Sequence, residues 1–196
     1  MRCDATQLIL YTIITCTNSV YALASLFLPA VFEDKAIGGF WVGIVFATYS
    51  IVVVLGSPFV GTILNKCGFA NLIAAGLVAM GISVIPLGFL KQIESNTATL
   101  ALGVVLRALQ GTASACINTT CYSMAANKYA DQTTFVVGML EGVAGVGICI
   151  GLMGGSVVYE KIGYMAVFLT FGFLLLSLSI ISRTIFYCIE RKERAS

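Results

Sequence analysis

Six apolar runs, each about as long as a bilayer's hydrocarbon core is thick, dominate the 196-residue sequence. They cover residues 8–31, 39–64, 71–90, 100–126, 133–158 and 165–188. A helix needs about 20 apolar residues to cross hydrocarbon, so the chain holds six crossings and little else. Only 10% of the residues are charged, against about a quarter in soluble domains, and 59% are hydrophobic. Too few polar side chains exist to cover a water-soluble globule, which excludes a soluble domain. The predicted fold class is all-α: a six-helix transmembrane bundle forming a single six-span domain over residues 1–196.

Short polar breaks separate the runs: Glu33-Asp34-Lys35, residues 65–68, residues 91–94, residues 127–131 and Glu160-Lys161. None is long enough to divide the chain. Ala22-Leu23-Ala24 resembles a signal-peptidase site, but the first run continues through Pro29 to Val31. That exceeds the 7 to 15 apolar residues of a signal-peptide core, and a retained helix is predicted.

The formal net charge of +2 is too small for a nucleic-acid surface. Seven cysteines (Cys3, Cys16, Cys67, Cys116, Cys121, Cys149, Cys188) stand singly, and histidine is absent. Metal sites of the usual Cys/His kind lack their ligands, no cofactor is implied, and disulfides are not predicted. Orientation follows from the excess of Lys and Arg in cytoplasmic segments. With the N-terminus inside, the inner segments hold Arg2, Lys66, Lys128, Arg183, Arg191, Lys192 and Arg194, while the outer loops hold Lys35, Lys91 and Lys161. Both termini are therefore expected in the cytoplasm.

Two ionisable residues stand out inside the runs, Arg107 and Glu141, where a charge costs at least about 2.5 to 3.5 kcal/mol on insertion scales. Gln110, Ser114 and Asn118 project within about 60° of Arg107, giving the fourth span one polar stripe that should face the bundle interior. Tyr11, Asn18, Tyr21 and Ser25 make a fainter stripe on the first span. Two polar faces can line a shared pathway, or they can be buried hydrogen bonds holding helices together. The meaning of Glu141 depends on depth: a deep carboxylate can exchange a proton, whereas one at loop water is a cap. Gly147, Gly151 and Gly155 form a ridge of glycines four apart that lets another backbone approach, in this chain or in a partner. Asn118-Thr119-Thr120 fits the glycosylation pattern but lies within the fourth span, out of reach of the lumenal enzyme.

Three stretches together carry a family resemblance. Gly61-Thr62-Ile63-Leu64-Asn65-Lys66-Cys67-Gly68 resembles the Gly-x-x-x-Asp-Arg/Lys-x-Gly loop of the major facilitator superfamily, Arg107-Ala108-Leu109-Gln110-Gly111 its Arg-x-x-Gln-Gly motif, and the glycine-rich run from Gly147 to Ser156 its antiporter motif. Within that superfamily, Met139-Leu140-Glu141-Gly142 and the stretch from Val158 through Tyr164 to Phe168 are most similar to the vesicular amine and polyamine transporters. The resemblance implies the N-terminal six-helix half of a transporter that exchanges small, amine-like organic cations for protons by alternating access. It also implies Arg107 and Glu141 in a proton or charge network and Gly61, Asn65, Lys66 and Gly68 as a gating loop, with Asn18, Tyr21, Gln110, Ser114 and Asn118 of the two polar faces expected to line the substrate cavity. Asn65 stands where the family carries Asp, Phe69 and Ala70 where basic residues are common, and Leu152 where Pro is expected.

Such transporters pair two six-helix halves around a midplane site, so a second half is implied: further sequence, a second copy or a separate chain. A half standing alone is expected to leave its polar stripe facing lipid. The partners implied are the bilayer, a small organic solute, protons and the second half. Vesicle, vacuole and plasma membrane all remain open as compartments. The rival from another class is a six-span interaction protein, a truncated paralogue that packs through the glycine ridge and transports nothing. A channel ranks third. An intramembrane enzyme ranks last, since no nucleophile and base can be placed together.

Overall fold

The computed structural model describes residues 5–195, with side chains described through residue 189. Arg2 and Cys3 lie outside the described residues, as do the side chains of Arg191, Lys192 and Arg194 counted for orientation. Six helices follow in order: α1 (Ala5–Asp34), α2 (Gly39–Cys67), α3 (Phe69–Val84), α4 (Asn96–Lys128), α5 (Thr133–Ile162) and α6 (Tyr164–Ala195). α3 continues as a 3-10 segment, Ile85–Gln92, whose Pro86 lacks the N–H that the α-helical ladder needs. All six are long and apolar enough to cross a membrane, and no strand occurs among the described residues.

The helices outrun the predicted spans because the polar breaks are helical too. A 30-residue helix such as α1 is about 45 Å long, matching hydrocarbon plus both headgroup layers. Charged residues in the end turns thus sit among headgroups without ending the helix. The expected loop at residues 65–68 shrinks accordingly: Asn65, Lys66 and Cys67 close α2, and Gly68 alone makes the break at φ +78°, with its N–H on Leu64 O at 3.0 Å.

Two helix pairs pack most extensively, α1 on α5 and α2 on α4, while α3 lies against α4 and α6. Renumbering each triplet from its first helix turns one leading pair into the other, the pattern of an inverted repeat. The breaks repeat as well. Lys66-Cys67-Gly68-Phe69 joins α2 to α3, Lys161-Ile162-Gly163-Tyr164 joins α5 to α6, and Gly163 also has positive φ, +103°. This Lys-x-Gly-aromatic repeat is written in the sequence itself.

The ridge on α5 meets α1 of the same chain. A Cβ at Gly147 or Gly151 would land on the backbone of Thr15 or Ser19, and one at Gly155 on the Leu23 side chain. Thr15, Ser19 and Leu23 are themselves four apart, so the two helices cross turn against turn. Ser19 Oγ also reaches Gly147 O at 2.7 Å. At the end opposite the termini, Lys91 pairs with Asp34 at 3.1 Å, Lys35 donates to Ile93 O and Asn96 Nδ2 donates to Lys35 O, tying the α1–α2 and α3–α4 connections together. α2 buries only Val45, Val60 and Leu64, and presents Phe40, Val54 and Phe59 outward. In a bilayer an apolar surface of this kind carries no hydration penalty.

Candidate functional site

α4 carries its stripe inward, and α2 closes over it. Arg107, Gln110 and Ser114 are buried, whereas Asn118 is half-buried. The approach of α2 depends on Gly111, where a Cβ would come within 2.7 Å of Tyr49 O. Arg107 consequently lies under two rings, its guanidinium carbon 4.5 Å from the Phe46 centroid and 5.6 Å from that of Tyr49. Such cation–π contacts partly offset desolvation. Nη1 donates to Gln110 Oε1 at 3.2 Å, but Nε and Nη2 of Arg107 and Nε2 of Gln110 have no hydrogen-bond partner among the described residues. No carboxylate faces this guanidinium within the described residues.

One turn further on, Ser114 Oγ accepts from Tyr49 Oη at 2.8 Å and from Asn118 Nδ2 at 3.0 Å. The Tyr49 ring in turn lies 5.0 Å from that of Tyr21 on α1. Tyr21, Tyr49, Arg107, Gln110, Ser114 and Asn118 therefore form one polar and aromatic cluster among α1, α2 and α4. Asn18 is half-buried and donates to Ile14 O at 2.9 Å, a bond within its own helix.

The expectation that a lone half leaves its stripe facing lipid fails for Arg107, which is 0% exposed. Phe46 and Tyr49 supply the cover, and neither was singled out from sequence, although they sit three apart on one face of α2. Arg107 and Glu141, grouped above as one charge network, are also kept apart. Glu141 Oε1 accepts from Tyr122 Oη at 2.7 Å, and Tyr122 lies fifteen residues along α4 from Arg107, about 22 Å of helix. Tyr122 continues the α4 stripe at about 60° from Arg107 and could have been found by extending it one turn.

Glu141 lies eight residues into the 30-residue α5, about 12 Å along its axis. An upright, centred helix of that length leaves about 7 Å outside the hydrocarbon at each end, so this carboxylate falls roughly one turn inside. It is exposed, and Tyr122 is its one partner among the described residues. Beside it, Gly138, Gly142 and Gly145 have nothing within 4 Å of a Cβ position, so this face of α5 is bare. Around the expected gating loop, Asn65 and Lys66 are exposed, and Gly61 also has open space at its Cβ position.

Six membrane-crossing helices in two inverted triplets, with buried polar groups on the first helix of each, define a half-bundle of the facilitator type. The profile of the Major Facilitator Superfamily matches residues 8–196, and the chain belongs to that family as an N-terminal half. Among curated relatives, the human synaptic vesicular amine transporter is 32% identical over 137 residues, 69% of this chain and 25% of that protein. The human chromaffin granule amine transporter is 34% identical over the same share of each. The human MFS-type transporter SLC18B1 is 24% identical over 156 residues, 80% of this chain and 34% of that protein. The chain thus spans well under half the length of the relatives it matches.

Proposed function

We propose that this chain is a solute carrier rather than an enzyme, moving small amine-like organic cations across a membrane in exchange for protons, with both termini in the cytoplasm. The observation that carries the proposal is Glu141: a carboxylate within a membrane span, held by one tyrosine hydroxyl, on a bare face that the half-bundle leaves open. Such a group in hydrocarbon needs a proton, a cation or a watery cavity. A second six-helix half packed along α2 and α5 would enclose that cavity. Arg107, remote and already covered, is then a fixed charge beneath α2, and its N–H groups meet new acceptors only when α2 shifts on α4 during the cycle. Tyr21, Tyr49, Ser114 and Asn118 line the pathway between the two levels. Asn18 lies beside it, and the end of α2 from Gly61 through Asn65 and Lys66 to Gly68 forms the gate on the terminus side.

The test is equilibrium binding of labelled phenylethylamine to the purified chain assembled with a second six-helix half, which encloses Glu141. Losing the charge of a desolvated pair costs about 2 kcal/mol or more, so Glu141→Gln is expected to weaken binding at least about thirtyfold. Glu141→Asp should retain most of it. Equal affinity in Glu141→Gln and wild type would remove Glu141 from the cation site.

A further inference from the structure

α3 and α6 run antiparallel and touch where Ser179 Oγ donates to Ala74 O at 3.0 Å. Their outer faces part beside that contact, leaving a groove of about 960 Å³. This is at the upper end of the roughly 300 to 1,000 Å³ typical of ligand sites. Its floor is smooth because α3 supplies Ala75 and Ala79, and its apolar walls extend down to Ile82, eleven residues or about 16 Å below Asn71. Polar groups gather at one end only, where Arg183 and Tyr187 of α6 stand beside Asn71 of α3.

That end lies near the hydrocarbon edge on the side of the membrane that carries the termini, within the reach of a snorkelling arginine to the headgroups. Arg183 lies nineteen residues past the start of α6, about 28 Å along it, and Asn71 two residues past the start of the antiparallel α3. Arg183 and Tyr187 are exposed, and neither has a hydrogen-bond or ion-pair partner among the described residues. Nor does either belong to the cluster around Arg107, which lies among α1, α2 and α4.

We propose that this groove is a binding site for an anionic phospholipid of the terminus-side leaflet, one acyl chain lying along Ala75 and Ala79 and the phosphodiester on Arg183 and Tyr187. Charge and shape select this occupant together. The guanidinium at the mouth favours a headgroup with net negative charge over a zwitterionic one. The apolar floor continues far deeper than a soluble phosphate could touch. The inference depends on the bundle spanning a membrane and is independent of what the protein transports.

Native mass spectrometry of the detergent-solubilised chain tests it, with phosphatidylglycerol and phosphatidylcholine of matched acyl chains added in competition. Wild type is expected to retain phosphatidylglycerol about fivefold better, the worth of one interfacial cation. Arg183→Gln should abolish that preference and Arg183→Lys should keep it, while Ala79→Phe, which fills the groove from an exposed position, should reduce retention of both lipids. Equal retention by wild type, or a preference surviving in Arg183→Gln, would overturn the proposal. So would displacement of the lipid by soluble glycerol 3-phosphate, which would make the mouth a soluble-anion site. A dimer that excludes both lipids would make the groove a protein interface and would equally overturn it.

Discussion

Arg107→Met is expected to yield a bundle at least as stable as wild type that no longer moves solute. The two halves of this expectation come from different terms. Arg107 is wholly buried, with two of its nitrogens unpartnered and no carboxylate opposite among the described residues, so its desolvation is only partly offset by Gln110, Phe46 and Tyr49. A methionine of similar reach fills the space under Phe46 without that penalty, and replacing buried charges with packed apolar groups is commonly neutral or stabilising by about 1 to 4 kcal/mol. Thermal unfolding in detergent should therefore show an unchanged or raised midpoint. If Arg107 served only to hold α2 on α4, the midpoint would fall instead and flux would track the folded fraction. Unaltered flux in a stable Arg107→Met protein would remove the residue from the transport machinery.

Gly151→Leu should have the larger effect on folding. Its Cβ would meet the backbone of Ser19, which cannot turn aside as a side chain can, so α1 and α5 must separate. Overpacking costs about 1 to 3 kcal/mol where neighbours can move and more where they cannot, and this crossing is one of the two most extensive contacts in the bundle. Most of the protein is expected to appear as aggregate in size-exclusion chromatography. Gly145→Leu, six residues away on the same helix with open space at its Cβ position, should elute as wild type. Equal behaviour of the two variants would mean that α1 does not pack on this ridge. The same geometry weakens the picture of an interaction protein docking through the ridge, because α1 already occupies that face.

The spans and their order were legible because hydrophobic run length is dictated by bilayer thickness, one residue at a time. Helix ends were less so, since Asn65, Lys66 and Cys67 are polar enough to suggest a loop yet continue α2 into the headgroup layer. Within the site, the α4 stripe from Arg107 to Asn118 could be read from the turn of a single helix. What covers it could not, because the pairing of Phe46 and Tyr49 with Arg107 depends on which helix lies against α4, and Gly111 sets that approach only in three dimensions. The position of Glu141 along α5 follows from where that helix begins, and its tyrosine partner from the crossing of α4 and α5. The glycine ridge announced a close helix contact from spacing alone. Its partner required the fold.

Uptake of labelled phenylethylamine into sealed proteoliposomes with an acidic interior tests the central claim most directly. The chain is reconstituted alone and together with the C-terminal six helices of the human synaptic vesicular amine transporter as a separate polypeptide, and Glu141→Gln is run in parallel. Wild type with the second half is expected to accumulate amine several-fold above empty vesicles, to lose it when the pH gradient is collapsed, and to fall to background with Glu141→Gln. Folded, inserted wild-type protein that accumulates no more than empty vesicles in both arms would contradict proton-coupled amine transport by this chain.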